Sequence, residues 1–343
     1  MLPVFVCAPT YWAWPGSSVP EGTSSERGII GRMAKRTQAQ LLAALKAATT
    51  PDEERSLALE LLTLTNSRQM VDEALLVLEH LPLDESARPI LRQKALHYFD
   101  HPEKDSGGLL RKSLIRLLSR IGHPDDADIY RAGLMVYELK PVTDVAQTCR
   151  AAALVGMATT NRSLACLHAT RLLGEPYTSP LSGEPSLTAL AVLARFDERL
   201  PIYAFLLRQG EDYARRGLGE VVGRAFELLG PDLPAPEFEA LAAPLAVLDI
   251  PPASAGIITA VIERREPALY PFLNDLLDRT RHDDLVYFGL MALAAARDET
   301  LTALLYDRAA RCSRSEVRHY LEAVELTAHP RREVVLAALE KRL

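Results

Sequence analysis

The stretch from Gly108 to Leu134, GLLRKSLIRLLSRIGHPDDADIYRAGL, decides the fold. At about 100° per residue, an α-helix brings five apolar side chains into one sector, those of Leu110, Leu114, Leu117, Leu118 and Ile121. The opposite side carries Lys112, Arg116 and Arg120. Gly122-His123-Pro124 stops this helix, and a second apolar stripe follows it. The stretch therefore predicts two amphipathic helices joined by a short turn.

The same unit recurs along the chain at a roughly constant distance. The first apolar residues of successive units lie 39, 38, 31, 39, 29 and 31 residues apart, an average of 34.5, at Leu110, Cys149, Leu187, Leu218, Ile257, Val286 and Val317. This period is typical of solenoids, in which each helical pair buries its apolar face by stacking on its neighbours. The chain holds no alternating, β-branched run of strand length. It is predicted to be all-α.

Helix boundaries follow from local signals. Thr50-Pro51-Asp52-Glu53 has the pattern of a capping box, with Thr50 as the cap and Pro51 at the first helical position. Farther along, the polar residues after Leu207 predict two helices, over 200–207 and 213–229. Gly217, Gly219 and Gly223 do not have the spacing of a dinucleotide-binding loop, and no strand precedes them. They are predicted to allow close helix packing.

Three segments carry a resemblance to a known family. They are Leu110-Arg111 with Ile121-Gly122-His123-Pro124-Asp125-Asp126, Asp144-Val145 with Cys149-Arg150-Ala151, and Val317-Arg318 with His329-Pro330. These segments resemble the HEAT-repeat family, in particular the short HEAT-like repeats also found in phycobilin lyases. The resemblance implies a right-handed α-solenoid of about eight or nine antiparallel helical pairs. It also implies that Arg111, Arg150 and Arg318 have a structural role, each contacting an acidic residue of a neighbouring repeat.

Residues 1–36 differ in composition from the rest of the chain. They contain both tryptophans, several prolines and a Ser/Thr/Gly-rich stretch, with neither helical nor alternating apolar periodicity. We expect a flexible N-terminal tail here and a single solenoid over 37–343. The tail is either an aromatic peptide that docks on a partner or a non-native extension upstream of a start at Met33. The abrupt change in composition favours the extension.

Composition excludes several classes of function. The formal net charge of -6 disfavours a dedicated nucleic-acid binder, which needs a basic face. Four widely spaced cysteines indicate neither a disulfide framework nor a zinc site. The chain has no apolar run long enough to span a membrane and no signal-peptide pattern, so a cytoplasmic location is expected. No cofactor or metal is expected, since Pro102 directly after the His97/His101 pair favours an ordinary helix end over a metal site.

The sequence leaves three functional hypotheses. The first is a non-catalytic scaffold or adaptor that binds a protein partner on the curved solenoid surface. The second is a lyase-type or chaperone-like factor that holds a small molecule or a modified protein in the concave groove. The third is nucleic-acid binding through Lys112, Arg116 and Arg120, which are also the candidate residues for partner binding. Asp125, Asp126 and Asp128 favour a solvated, charge-balanced helix face there. The absence of catalytic signatures favours the non-enzymatic hypothesis.

Overall fold

The computed structural model describes residues 37–141, 143–230 and 233–343. The predicted tail over 1–36 and the alternative start at Met33 lie outside these residues. Among the described residues there are eighteen α-helices and no strands, with one isolated β-bridge between Leu139 and Asp144, which confirms the all-α prediction for this part of the chain. The helices are α1 (Gln38–Ala47), α2 (Pro51–Leu64), α3 (Arg68–Glu79), α4 (Arg88–Asp100), α5 (Leu109–Ile121), α6 (Ala127–Leu134), α7 (Gln147–Thr160), α8 (Arg162–Leu173), α9 (Ser186–Arg195), α10 (Arg199–Arg215), α11 (Gly219–Leu229), α12 (Ala235–Val247), α13 (Pro251–Arg264), α14 (Tyr270–Arg279), α15 (Asp283–Ala295), α16 (Glu299–Arg311), α17 (Val317–Glu325) and α18 (Arg332–Glu340). None of the described helices has the length and apolar content needed to cross a membrane.

Local sequence explains where the helices begin and end. The Thr50 hydroxyl accepts a hydrogen bond from the backbone N–H of Glu53 at 3.4 Å, as the capping box predicts. Helix α5 lies between Gly108 and Gly122, whose φ angles of 68° and 73° favour glycine. Its predicted apolar stripe is buried except for Ile121, which is half-buried. The periodicity of this segment therefore identified the side that packs.

One pair of helix boundaries differs from the prediction. The polar run after Leu207 does not interrupt the chain, because α10 continues through Gly210 to Arg215. Gly210 lies against Leu245 of α12 and is buried in the helix interface. The actual break comes at Gly217, whose φ of 83° does not belong to a helix. A buried glycine within a helix and a glycine that ends one cannot be told apart by composition alone.

The helices pack in two rows. Each consecutive odd-numbered pair from α3 to α17 is in contact, and we call these helices the odd row. The even-numbered helices form the even row, with direct packing of α2 on α4, α4 on α6, α8 on α10, α10 on α12 and α16 on α18. Neighbours in sequence join the two rows. Apolar side chains of both rows meet in one continuous core.

The closest approach in the odd row is between α11 and α13. A Cβ atom added to Gly256 would lie 2.2 Å from the Cα atom of Gly223, so the two backbones touch. Gly219 fits closely as well, since a Cβ atom there would lie 2.9 Å from Cγ2 of Ile250. The predicted packing role is confirmed for Gly219 and Gly223, whereas Gly217 follows the end of α10 and has no helix contact this close. Only glycine at these positions allows two helices to approach so closely.

Replacing Gly256 by alanine tests this contact. Alanine has the higher helix propensity, but its methyl group would overlap the α11 backbone, so Gly256→Ala is expected to destabilise the fold by about 1–3 kcal/mol. Gly210→Ala is the matched control, because its methyl group would meet Leu245 at an ordinary distance of 3.4 Å. That control should be neutral or stabilising by up to about 1 kcal/mol. Urea denaturation measures both, and equal effects would contradict the close approach.

Candidate functional site

The three predicted basic residues lie together along one groove in the odd row. Lys112, Arg116 and Arg120 project from α5, and small or short side chains of α7 lie opposite them. We call this surface the odd-row groove; its volume is about 440 Å³, and its lining residues are Lys112, Arg116, Ser119, Arg120, Thr148, Ala151, Ala152, Val155, Glu184 and Thr188. The groove thus crosses from α5 over α7 to the start of α9.

The floor of the groove is formed by small apolar side chains of α7. Ala151 and Ala152 are buried, and a methyl side chain at these positions leaves the space above α7 open. Val155 stands at the floor with 43% of its surface exposed. The floor therefore offers apolar contact to whatever enters the groove.

The three cations differ in how they are bound. The Lys112 ammonium has no hydrogen bond or ion pair within the part of the chain that the structure describes. Arg116 is 55% exposed and lies 3.5 Å from a carboxylate oxygen of Glu79. Arg120 donates to the backbone oxygens of Leu78 and Glu79 at 3.1 and 3.0 Å. Lys112 and Arg116 are therefore free to turn toward a ligand, whereas the carbonyls of helix α3 hold the Arg120 guanidinium in place.

Farther along the odd row, a second groove carries charges of both signs. It has a volume of about 470 Å³ and is lined by Leu187, Glu220, Arg224, Glu227, Pro252, Ala255, Gly256, Thr259 and Phe288. Arg224 and Glu227 form an ion pair at 2.5 Å on α11. The odd-row groove is thus lined by three cations and one carboxylate, whereas this second groove carries two carboxylates and one cation.

Arg111 and Arg150 lie in the core and bridge successive loops. The Arg111 Nε donates to Asp105 at 3.0 Å, and its Nη2 bonds Glu138, which lies in the loop after α6. Arg150 pairs in the same way with Asp144 and with Glu175, which lies in the loop after α8. In each case the first acid is six residues before the arginine and the second comes from the following loop. This repeated D-x5-R pattern fixes the two longest loops against the ends of the helices.

Arg318 makes a different contact from the predicted one. Its guanidinium is 82% exposed and bonds Glu322 of its own helix at 3.3 Å. The position six residues earlier is Cys312, which cannot replace the aspartate of the other two copies. The resemblance assigned one role to all three arginines, but the acid that creates the role is missing here.

A further set of arginines joins the ends of helices in one row, a role that the sequence analysis assigned to none of them. Arg120 at the end of α5 reaches the end of α3, and Arg264 at the end of α13 donates to the Gly230 carbonyl after α11 at 2.6 Å. The even row has the same contacts from Arg171 to Leu134 and from Arg342 to Ala309, and Arg216 at the end of α10 donates in a similar way to the Pro176 carbonyl in the loop after α8. Donor and acceptor are 33 to 42 residues apart, about one repeat. We call these contacts repeat caps.

Repeat caps satisfy groups that a helix cannot satisfy itself. The last four carbonyls of an α-helix have no partner within the helix, and they carry the negative end of its dipole. A guanidinium supplies five N–H donors and a positive charge. A basic residue in or just after the last turn, recurring every 33 to 42 residues, is the sequence signal that would have identified them.

The histidine pair at the end of α4 behaves as a helix terminus. His101 is the C-terminal cap, and its ring centroid lies 4.8 Å from that of His97. Burial lowers the pKa of His97, and the nearby Lys104 lowers it further. No group of three or more metal-binding side chains is found within 37–141, 143–230 and 233–343.

A large cavity lies in the even row, between α12 and α14. Its volume is about 750 Å³, and its wall combines apolar residues such as Val247 and Phe272 with polar ones. Asp249 accepts hydrogen bonds from Thr280 at 2.7 Å and from the backbone of Arg281 at 3.0 Å. His282 lies 3.1 Å from the Asp249 carbonyl. These polar groups therefore join two turns of the fold.

The chain matches no protein-family model, no curated protein and no solved structure.

Comparing two of the predicted arginines tests the structural role of the buried ones. Arg150→Met leaves the carboxylates of Asp144 and Glu175 buried without their cation, so the free energy of unfolding should fall by about 3–5 kcal/mol. Arg318→Met removes only an exposed pair and should cost less than about 0.5 kcal/mol. Chemical denaturation compares the two variants. A small effect at Arg150 would show that its ion pairs do not hold the loops.

Proposed function

We propose that residues 37–343 form a right-handed, HEAT-like α-solenoid of about nine antiparallel helical pairs, with the odd row on the concave side. The two-row packing supports this arrangement, as do the repeat caps, which place the ends of same-row helices side by side. Backbone contact between α11 and α13 brings the odd row together, while a cavity separates α12 from α14 in the even row. Closer spacing on one side bends a stack toward that side.

Within this fold, we propose that the chain is a non-catalytic scaffold that binds a protein partner along the odd row. The observation that carries the proposal is the odd-row groove, an open surface with an apolar floor and three cations at its edge, of which Arg116 is 55% exposed. Solenoids use such extended concave surfaces for binding. A fold of this kind hosts many functions, so the proposal rests on the groove and not on the architecture.

The groove supports the scaffold over the two other hypotheses. A small-molecule site needs polar groups that converge on an enclosed space, whereas the odd-row groove is open and its cations follow one helix. Nucleic-acid binding needs a continuous basic surface, but the second groove along the row carries Glu220, Arg224 and Glu227. This charge pattern fits a partner that meets positive charge in the odd-row groove and mixed charge in the second groove.

Filling the groove without changing charge tests the scaffold. Val155→Trp places a large side chain above the α7 floor and is expected to reduce capture of the partner from native lysate at least tenfold. Leu167→Trp on α8 is the control, because Leu167 is also exposed but belongs to the even row. Quantitative mass spectrometry of the captured proteins measures both.

Circular dichroism must show that both variants keep their helical content. Equal capture by Val155→Trp and the unmodified protein would contradict binding in the groove. Loss of capture in the Leu167→Trp variant alone would place the partner on the even row instead.

A further inference from the structure

We infer that the odd-row groove binds an extended acidic segment of a protein partner, in which carboxylates alternate with small apolar residues. This inference rests on the proposed scaffold function and specifies the chemistry of its partner. Three observations support it. They are the spacing of the three α5 cations, the different ways in which these cations are bound within the chain, and the position of Glu184 at the far side of the groove.

The spacing of the cations matches an extended chain. Lys112, Arg116 and Arg120 follow each other at four-residue intervals on α5, which corresponds to about 6 Å along the helix axis. In an extended chain, every second side chain points to the same face, at a repeat of about 6.6–6.8 Å. A segment lying along the groove would thus present one carboxylate to each cation.

The cations have charge left for a ligand. Lys112 has no partner among the described residues, and the single carboxylate near Arg116 is 3.5 Å away. The guanidinium of Arg120 is held by carbonyl oxygens, which orient it but do not cancel its charge. A carboxylate entering the groove would form charge-assisted hydrogen bonds, which are stronger than bonds between neutral groups.

The opposite wall determines the alternate side chains. If carboxylates face α5, the intervening side chains face α7, where Ala151, Ala152 and Val155 form an apolar floor. Small apolar side chains suit this floor, because Ala and Val side chains form it. The groove therefore favours an alternating pattern over a block of acidic residues.

A glutamate limits the site on the α9 side. Glu184 lines the groove, and its carboxylate accepts a hydrogen bond from the backbone N–H of Thr188 at 3.3 Å. This bond holds its negative charge at the start of α9. An acidic chain is repelled there and is confined to the space between α5 and α7.

Fluorescence anisotropy with the full chain tests the inference. The probe is a labelled peptide of four Glu-Ala repeats, compared with a peptide of four glutamates followed by four alanines, in buffers of two salt concentrations. Lys112→Glu/Arg116→Glu should weaken binding of the alternating peptide at least tenfold. Lys112→Gln/Arg116→Gln should cause a smaller loss, and added salt should weaken binding to the unmodified protein.

The matched control changes charge in the other row. Arg208→Glu/Arg215→Glu on α10 alters the net charge equally, at exposed positions, and should change the affinity less than twofold. An equal loss in this control would overturn the inference, because net charge alone would then explain binding. Equal affinity for the alternating and block peptides would overturn it too, as would failure of the alternating peptide to bind.

Two further outcomes separate this inference from the scaffold proposal. If an oligonucleotide of eight thymidines binds more tightly than the alternating peptide and depends on Lys112 and Arg116, the groove binds nucleic acid and the inference fails. If the peptide does not bind but Val155→Trp still abolishes partner capture, the scaffold proposal stands and only the acidic segment is wrong.

Discussion

The hydrogen bond from an arginine at the end of one helix to the last carbonyls of the helix two positions earlier is the contact on which the rest of this structure depends. Arg120, Arg264 and Arg342 each make it, in different parts of the chain. Helix ends buried between repeats leave carbonyls that no helical N–H can reach. A planar cation with several donors satisfies more than one of them, and its charge complements the helix dipole.

A second set of arginines joins the two rows at the same ends. Arg162, the first residue of α8, donates to the Phe196 carbonyl after α9 at 2.8 Å, and Arg199 at the start of α10 bonds the Leu228 carbonyl in α11. The start of an even helix therefore lies at the end of the following odd helix, so the two run in opposite directions. Each contact involves immediate neighbours only, and stability is expected to accumulate repeat by repeat. Of the three cations in the odd-row groove, Arg120 is the one that also makes a repeat cap.

Much of the helical content could be predicted from the sequence, because periodicity depends on local spacing. The stripe from Leu110 to Leu118 identified the buried side of α5, and Thr50 identified the start of α2. The same spacing placed Lys112, Arg116 and Arg120 on one face, but it could not show that Arg120 ends at carbonyls some 40 residues earlier. Arg318 does not share the role of Arg111 and Arg150, because that role depends on an aspartate six residues before the arginine and this position is Cys312. Hydrogen bonds between residues of different helices depend on how the helices pack, so the sequence of one helix does not predict them.

Hydrogen exchange in an Arg264→Leu variant tests the role of the repeat caps most directly. Leucine replaces the apolar part of the Arg264 side chain but lacks the N–H group that donates to the Gly230 carbonyl. Faster amide exchange is expected in the last turns of α11 and α13, with unchanged protection in α3, because the cap joins neighbouring repeats only. Unchanged exchange at the end of α11, or a uniform increase from α1 to α18, would contradict the dependence of this fold on arginine caps.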